Sequence, residues 1–216
     1  MSRIAIIGGH GKVALHLSRI LSGEGHDVTS FIRNPDHVAD ITDTGAEALV
    51  LDVEHSTTAE LAEALKGHDS VVWSAGAGGG NPARTYAVDR DAAIRSMDAA
   101  AEAGIQRYVM VSYIGAATDH GVPADHPFFA YAESKAAADE YLRNTGLDWT
   151  VLGPGTLTEE QATGLIETDP AGADTQTSRG NVALVAAAVL ELPETIHRTI
   201  TFKDGTVDVV DALTGE

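Results

Sequence analysis

The sequence has no cysteine among its 216 residues. That excludes disulfides, thiolate nucleophiles and cysteine-ligated metals, and it fits a cytoplasmic setting. Basic residues are scarce: 14 Lys and Arg face 32 Asp and Glu, for a formal net charge of −18. Such an excess opposes sequence-independent binding to nucleic acid or to anionic membranes. No apolar run reaches the length of a membrane span. Met1-Ser2-Arg3 enters an apolar run directly, with no secretory n-region. We therefore expect a cytoplasmic protein with a small-molecule substrate, no nucleic acid or membrane partner, and a monomer or weak homodimer. An anionic ligand would need local positive charge here, so the few basic residues beside glycine turns become informative.

Hydrophobic residues make up 44% of the chain, enough for one well-buried domain over residues 1–216. The stretch Ile4-Ala5-Ile6-Ile7-Gly8-Gly9-His10-Gly11-Lys12-Val13-Ala14 reads as a buried strand, a tight turn and a helix start. A helix N-terminus presents unpaired backbone N–H groups and the positive end of the helix dipole, which suits a phosphate. Gly8 permits the turn, Gly11 permits close approach of a pyrophosphate, and Ala14 permits close helix–strand packing. His10 stands either beside that pyrophosphate or at the surface.

A helix over Val13–Leu21 and a strand over His26–Ile32 complete a strand–helix–strand unit. The residue at the tip of this second strand selects the cofactor. An acid there binds the ribose hydroxyls of NAD; an arginine pairs with the 2′-phosphate of NADP. Arg33 occupies the position, with Lys12 on the facing turn, and the alternative for Arg33 is a solvated loop charge. Asp52 ends a third strand, Ala48–Leu51. It either accepts from an adenine amino group, with Val53 packed beside it, or caps its own turn. A helix through Leu65 and a fourth strand, Ser70–Trp73, follow. The run Ser74-Ala75-Gly76-Ala77-Gly78-Gly79-Gly80 then lets a ligand lie across the strand ends.

A long helix is expected over Arg84–Ala103, and a fifth strand over Arg107–Ser112. Tyr113–Phe129 is a lid or a surface loop. A helix over Tyr131–Asn144, a sixth strand over Asp148–Leu152, a helix over Asn181–Leu190 and a strand over Thr195–Phe202 follow, with a short end element over Val207–Leu213. Regularity fades over Glu159–Thr177, which is polar and acidic. Alternating strands and helices define an α/β, Rossmann-like doubly wound, mainly parallel sheet with helices on both faces.

Tyr131 and Lys135 lie four apart on one helix face. An ammonium beside a phenol lowers the phenol pKa and prepares it for proton transfer near neutral pH. Ser112 can orient a substrate carbonyl, and Lys135 can reach the cofactor ribose. The nine histidines form no compact ligand set, so no metal site is expected.

Taken together, Gly8-Gly9-His10-Gly11-Lys12-Val13-Ala14, Phe31-Ile32-Arg33-Asn34-Pro35, Val88-Asp89-Arg90, Arg107–Ser112, Tyr131-Ala132-Glu133-Ser134-Lys135 and Gly146–Val151 resemble an atypical short-chain dehydrogenase/reductase. The branch is that of the NmrA-like and biliverdin-reductase-B-like NAD(P)-binding proteins. The resemblance implies that Gly8, His10, Gly11, Lys12 and Val13 line the pyrophosphate. It implies Arg33 on the 2′-phosphate, Asp52 and Val53 by the adenine, and Ser74, Ala75 and Gly76 along the ribose. Pro154, Gly155, Thr156 and Leu157 fall near the nicotinamide, and Ser112, Tyr131 and Lys135 fall on the catalytic positions. Two substrate-side positions depart from the family's pattern: Gly153 replaces a frequent arginine, and Tyr113 replaces a second serine. The expected function is an oxidoreductase using NADP, with NAD as the other candidate cofactor, that reduces a small carbonyl, quinone or flavin-like acceptor. The alternatives are a non-catalytic NADP(H) sensor and an NAD(P)-using sugar epimerase or dehydratase.

Overall fold

A computed structural model describes residues 1–171 and 175–215 of the chain. Its elements, in order, are β1 (Arg3–Ile7), α1 (Lys12–Gly23), β2 (Asp27–Ile32), α2 (Val38–Thr42), β3 (Glu47–Val50), α3 (Thr58–Leu65) and β4 (Ser70–Trp73). Next come α4 (Pro82–Thr85), a π-helical stretch over Tyr86–Ala92, α5 (Ala93–Glu102), β5 (Arg107–Val111), α6 (Phe129–Arg143) and β6 (Asp148–Pro154). The remainder is β7 (Thr156–Thr158), β8 (Leu165–Thr168), β9 (Gln176–Ser178), α7 (Arg179–Glu191), β10 (Arg198–Asp204), β11 (Val207–Asp208) and α8 (Val209–Thr214).

The main sheet has the order β11-β8-β10-β6-β5-β4-β1-β2-β3. The run from β3 to β10 is parallel, and β8 and β11 add an antiparallel edge. Chain order reverses between β1 and β4, and in such sheets a ligand settles outside the carboxyl ends of the strands at that reversal.

Successive strand residues face opposite sides, so one strand feeds two cores. Ile4 and Ile6 of β1 join Val72 and Val109 in a core with α1 and α7. Ala5 and Ile7 join Val71, Trp73, Tyr108 and Met110 in a second core with α3 and α5. Buried Val13, Ala14, Leu17 and Leu21 recur at helical spacing and seat α1 on the sheet. Thr57 and Glu60 close a capping box that starts α3. The fold is the Rossmann-like doubly wound sheet that the alternation of elements predicts.

Three expectations need correction. The helix expected over Arg84–Ala103 begins at Pro82, widens into a π-helical stretch and continues as α5. The widened turn carries Asp89 inward, where its carboxylate accepts from the Ala77 N–H at 3.0 Å. Second, the region after β6 is ordered: β7 pairs with β9, and β8 joins the main sheet. These strands are three or four residues long, too short to show a period, and part of the segment (172–174) lies outside the described residues. Third, the last parallel strand starts at Arg198, because Pro193–Thr195 forms a 3-10 turn first.

Candidate active site

Gly8 adopts φ +85°, and a Cβ there would stand 2.5 Å from the Ala75 Cα. The β1–α1 turn thus lies directly against the β4 loop, and only glycine allows that approach. The Gly9 N–H donates to the Phe31 carbonyl and the Gly11 N–H to the Gly8 carbonyl, both at 2.9 Å. Gly11 is the N-cap of α1, and no side chain caps this helix start. Its first N–H groups therefore face the cleft with their dipole unopposed.

Two adjoining cavities open along the carboxyl ends of β1, β2, β4 and β5. Gly11, Ser74, Ala75 and Gly76 border both. The outer cavity, about 290 Å³, includes Gly8, His10, Arg33, Asn34, Asp52, Val53 and Arg84 in its wall. The inner cavity, about 420 Å³, includes Lys12, Val13, Asp89, Ser112, Tyr131, Lys135, Leu157 and Arg179. A dinucleotide has two halves joined at a pyrophosphate, and the shared border lies at the helix start.

In the outer cavity, Arg33 is more than half exposed, with Glu54 3.7 Å away. Arg84 holds that carboxylate more closely, at 3.0 Å, and also donates to the Ala77 carbonyl. The His10 ring stacks on His37 with centroids 3.5 Å apart, and its Nε2 contacts Asp40 at 2.8 Å. Asp52 accepts from the Glu54 N–H and contacts His55 Nδ1, so its side chain organises its own turn at the cavity wall. Val53 stands beside it, and its carbonyl accepts from Arg95.

At the inner cavity's mouth, Lys12 contacts Glu159 at 2.6 Å and Arg179 contacts the same carboxylate at 2.9 Å. The cations lower the Glu159 pKa. Leu157 is in the wall, whereas Pro154, Gly155 and Thr156 are not. Pro154 is buried in β6, and Thr156 pairs in β7. The Gly155 N–H donates to the Phe202 carbonyl and to Thr177 Oγ1, both at 3.0 Å. A Cβ on Gly155 would stand 1.5 Å from the Thr175 carbonyl oxygen, so this glycine serves strand packing.

Ser112, Lys135 and Asp139 form a buried polar centre behind that cavity. The Ser112 hydroxyl donates to Asp139 Oδ2 at 2.5 Å, and Lys135 Nζ donates to the Val111 carbonyl at 2.8 Å. Asp139 Oδ1 is buried without a hydrogen-bond partner among the described residues. Burial raises the Asp139 pKa, against the opposing pull of Lys135 and of the Ser112 hydrogen bond. Burial likewise lowers the Lys135 pKa. The protonation state of Asp139 sets the polarity of Ser112. An ionised Asp139 accepts the Ser112 hydrogen bond; a neutral Asp139 can donate that bond instead and free the hydroxyl proton for the cavity.

The expectation that Lys135 lowers the Tyr131 pKa is overturned. Burial pushes the phenol upward, and Asp89, Asp139 and Tyr113 add to the rise. Lys135 shares the helix face but spends its ammonium on the Val111 carbonyl. The Tyr131 hydroxyl makes no hydrogen bond among the described residues; its ring packs on Tyr113 and Phe128.

Sequence reasoning missed Asp139, Arg84 and Arg179, and gave Asp89 no role. Tyr131, Lys135 and Asp139 stand at successive four-residue steps, so the spacing of Asp139 was visible. Its burial was not.

A doubly wound sheet with a glycine turn at its strand-order reversal and a two-part cleft at that turn defines a dinucleotide-binding protein. The chain belongs to the NAD(P)H-binding family, which matches residues 8–193. It is 31% identical to an uncharacterized sugar epimerase of Bacillus subtilis, YhfK, with 98% of each chain covered. A Bacillus halodurans protein, provisionally named an NAD-dependent epimerase/dehydratase, superposes with TM-score 0.91 at 27% identity over all of both chains. The oxidoreductase YlbE of Lactococcus lactis gives TM-score 0.87 at 29% identity, covering 99% of this chain and 95% of that one. These relatives are named epimerases and oxidoreductases, and the family gives the chain a nicotinamide dinucleotide as its cofactor class. No helix among the described residues is long and apolar enough to cross a membrane.

Proposed function

We propose that the chain is an NADP(H)-dependent oxidoreductase that reduces a small carbonyl, quinone or flavin-like acceptor. The observation that carries this reading is the pair of cavities joined at the uncapped start of α1, with exposed Arg33 on one side and the Ser112–Tyr131–Lys135 group on the other. The nicotinamide, when bound, supplies a hydride. Arg33 and Asn34 line the outer cavity and would meet a 2′-phosphate there, and no acidic residue ends β2 to favour an unphosphorylated ribose. The first N–H groups of α1 would hold the pyrophosphate, with Lys12 and Arg179 turned to it from Glu159.

Tyr131 gives the proton to the acceptor oxygen. The phenol, its pKa raised by burial and by Asp89 and Asp139, carries its proton at neutral pH, and in this reading it releases that proton as the acceptor oxygen gains charge from the hydride. Ser112 faces the same cavity and holds the acceptor oxygen when Asp139 is neutral.

A second reading, an NADP(H) sensor without turnover, is favoured by one fact: Lys135 binds the Val111 carbonyl and leaves Tyr131 unactivated. Fluorescence titration of NADPH and NADH, followed by a screen of carbonyls and quinones for acceptor-dependent NADPH oxidation, separates the two. Saturable NADPH binding with oxidation is the expected result. Binding without oxidation across the panel establishes the sensor, and absence of binding by either nucleotide overturns both readings.

A further inference from the structure

A third cavity, of about 410 Å³, adjoins the inner one through Gly79 and Tyr131. We propose that it is the acceptor site, and that it takes an uncharged molecule of one or two flat rings bearing a carbonyl, in place of a sugar nucleotide. This assignment rests on the hydride-transfer reading and narrows its substrate class.

The walls carry the argument. Phe128 and Tyr131 line it with ring centroids 5.2 Å apart, and Tyr113, outside the lining, packs on both at 5.4 Å. Pro82, Pro127 and Ala130 complete the apolar side. Flat faces of this kind favour a flat apolar partner. Gly79 and Gly80, both with positive φ, have nothing within 4 Å of the Cβ position, so these two lining residues leave open space. The volume suits one or two rings.

The polar groups are mostly engaged. Asn81 Oδ1 accepts from the Arg84 N–H at 3.2 Å, and the Thr85 hydroxyl donates to the Asn81 carbonyl at 3.1 Å. That cap, with Pro82 in the first turn, occupies the start of α4 that an anion would otherwise approach. No charged residue lines the cavity among the described residues. The charged groups lie in the adjoining wall, where Asp89 stands with Lys12, Lys135 and Arg179. A sugar nucleotide brings a pyrophosphate and several hydroxyls, and each would lose its water without replacement. The Tyr131 hydroxyl, free of other bonds and shared by both cavities, remains to meet a single carbonyl oxygen beside the nicotinamide position.

The test is calorimetric titration of the purified protein, with and without saturating NADP+, using menadione and UDP-glucose as probes. Menadione is expected to bind and UDP-glucose to give no heat. Phe128, at the exposed rim, is removable without disturbing the core. Phe128→Ala is expected to weaken menadione at least fivefold and to leave NADP+ affinity unchanged. Ala130→Leu, which fills the cavity, is expected to weaken menadione further. UDP-glucose binding as tightly as menadione, absence of menadione binding, or a menadione affinity indifferent to both variants overturns the assignment. If NADP+ fails to bind, the dinucleotide reading falls, while the cavity is still judged by the two probes on the unloaded protein.

Discussion

The two ends of the cleft are built on opposite principles. The outer cavity is made of turns and keeps Arg33 more than half exposed, with His10 and Arg84 each about a third exposed. The inner end buries Lys135, Asp139 and Asp89, while Lys12 at its mouth stays exposed. Exposed charges cost little to keep and contribute little singly, so the outer end can select among nucleotides without strain on the fold. Buried charges are costly, and they persist where chemistry or precise placement needs them. In the proposed reading the outer end sets which cofactor binds, and the inner end sets what happens to it.

The largest expected effect comes from the turn that joins the ends. Gly8→Ala forces a side chain at positive φ into the Ala75 backbone. It should cost about 2–4 kcal/mol of stability, and it should abolish NADPH binding. Thermal melting and fluorescence titration read the two effects; a variant that melts and binds as the parent does would remove the turn from its central place. Tyr131→Phe comes next. It should lower turnover about 100-fold or more, with NADPH affinity within twofold of the parent. An unchanged rate would break the division of labour, because the inner end would then lack its acid.

Arg33→Ala sharpens the other side. It should weaken NADPH about tenfold, near 1.4 kcal/mol, and leave NADH almost unaffected. Equal weakening of both nucleotides would show that Arg33 does not read the 2′-phosphate. The smallest effect concerns the buried carboxyl. The folded state raises the Asp139 pKa, so it holds this proton where the unfolded chain has lost it. Stability from this group is therefore fully present below the unfolded pKa and is lost as pH rises through the folded value. Asp139→Asn removes that fall. Its melting temperature relative to the parent should rise by roughly 2–4 °C between pH 4.5 and 7.5; a constant difference would mean that Asp139 is ionised across the range.

The same contrast explains what could be read from sequence. The β1–α1 turn, Arg33 and strands β1 to β6 announce themselves, because buried apolar runs end at glycines or polar turns. The outer cavity is local in sequence, and its chemistry follows from what ends each strand. The inner centre depends on which face of α6 packs inward. Asp139 lies among Asp and Glu residues that read as solvated helix acids, and only the packing shows that it is wholly inaccessible. The direction of the Tyr131 shift was misjudged for the same reason. Four-residue spacing put an ammonium nearby, but burial and two carboxylates outweigh it, and the ammonium binds a carbonyl instead. The edge strands β7, β8 and β9 are short, and β8 has a single fully buried residue, Ile166. Such strands leave almost no periodic trace.

The most direct test of the account is displacement of bound NADPH, followed by its fluorescence, with 2′,5′-ADP and with 5′-ADP. A dinucleotide lying across both cavities with Arg33 on its 2′-phosphate predicts one NADPH per chain, displaced by 2′,5′-ADP at least tenfold more effectively than by 5′-ADP. Failure of 2′,5′-ADP to displace it, or equal displacement by both, would contradict the placement.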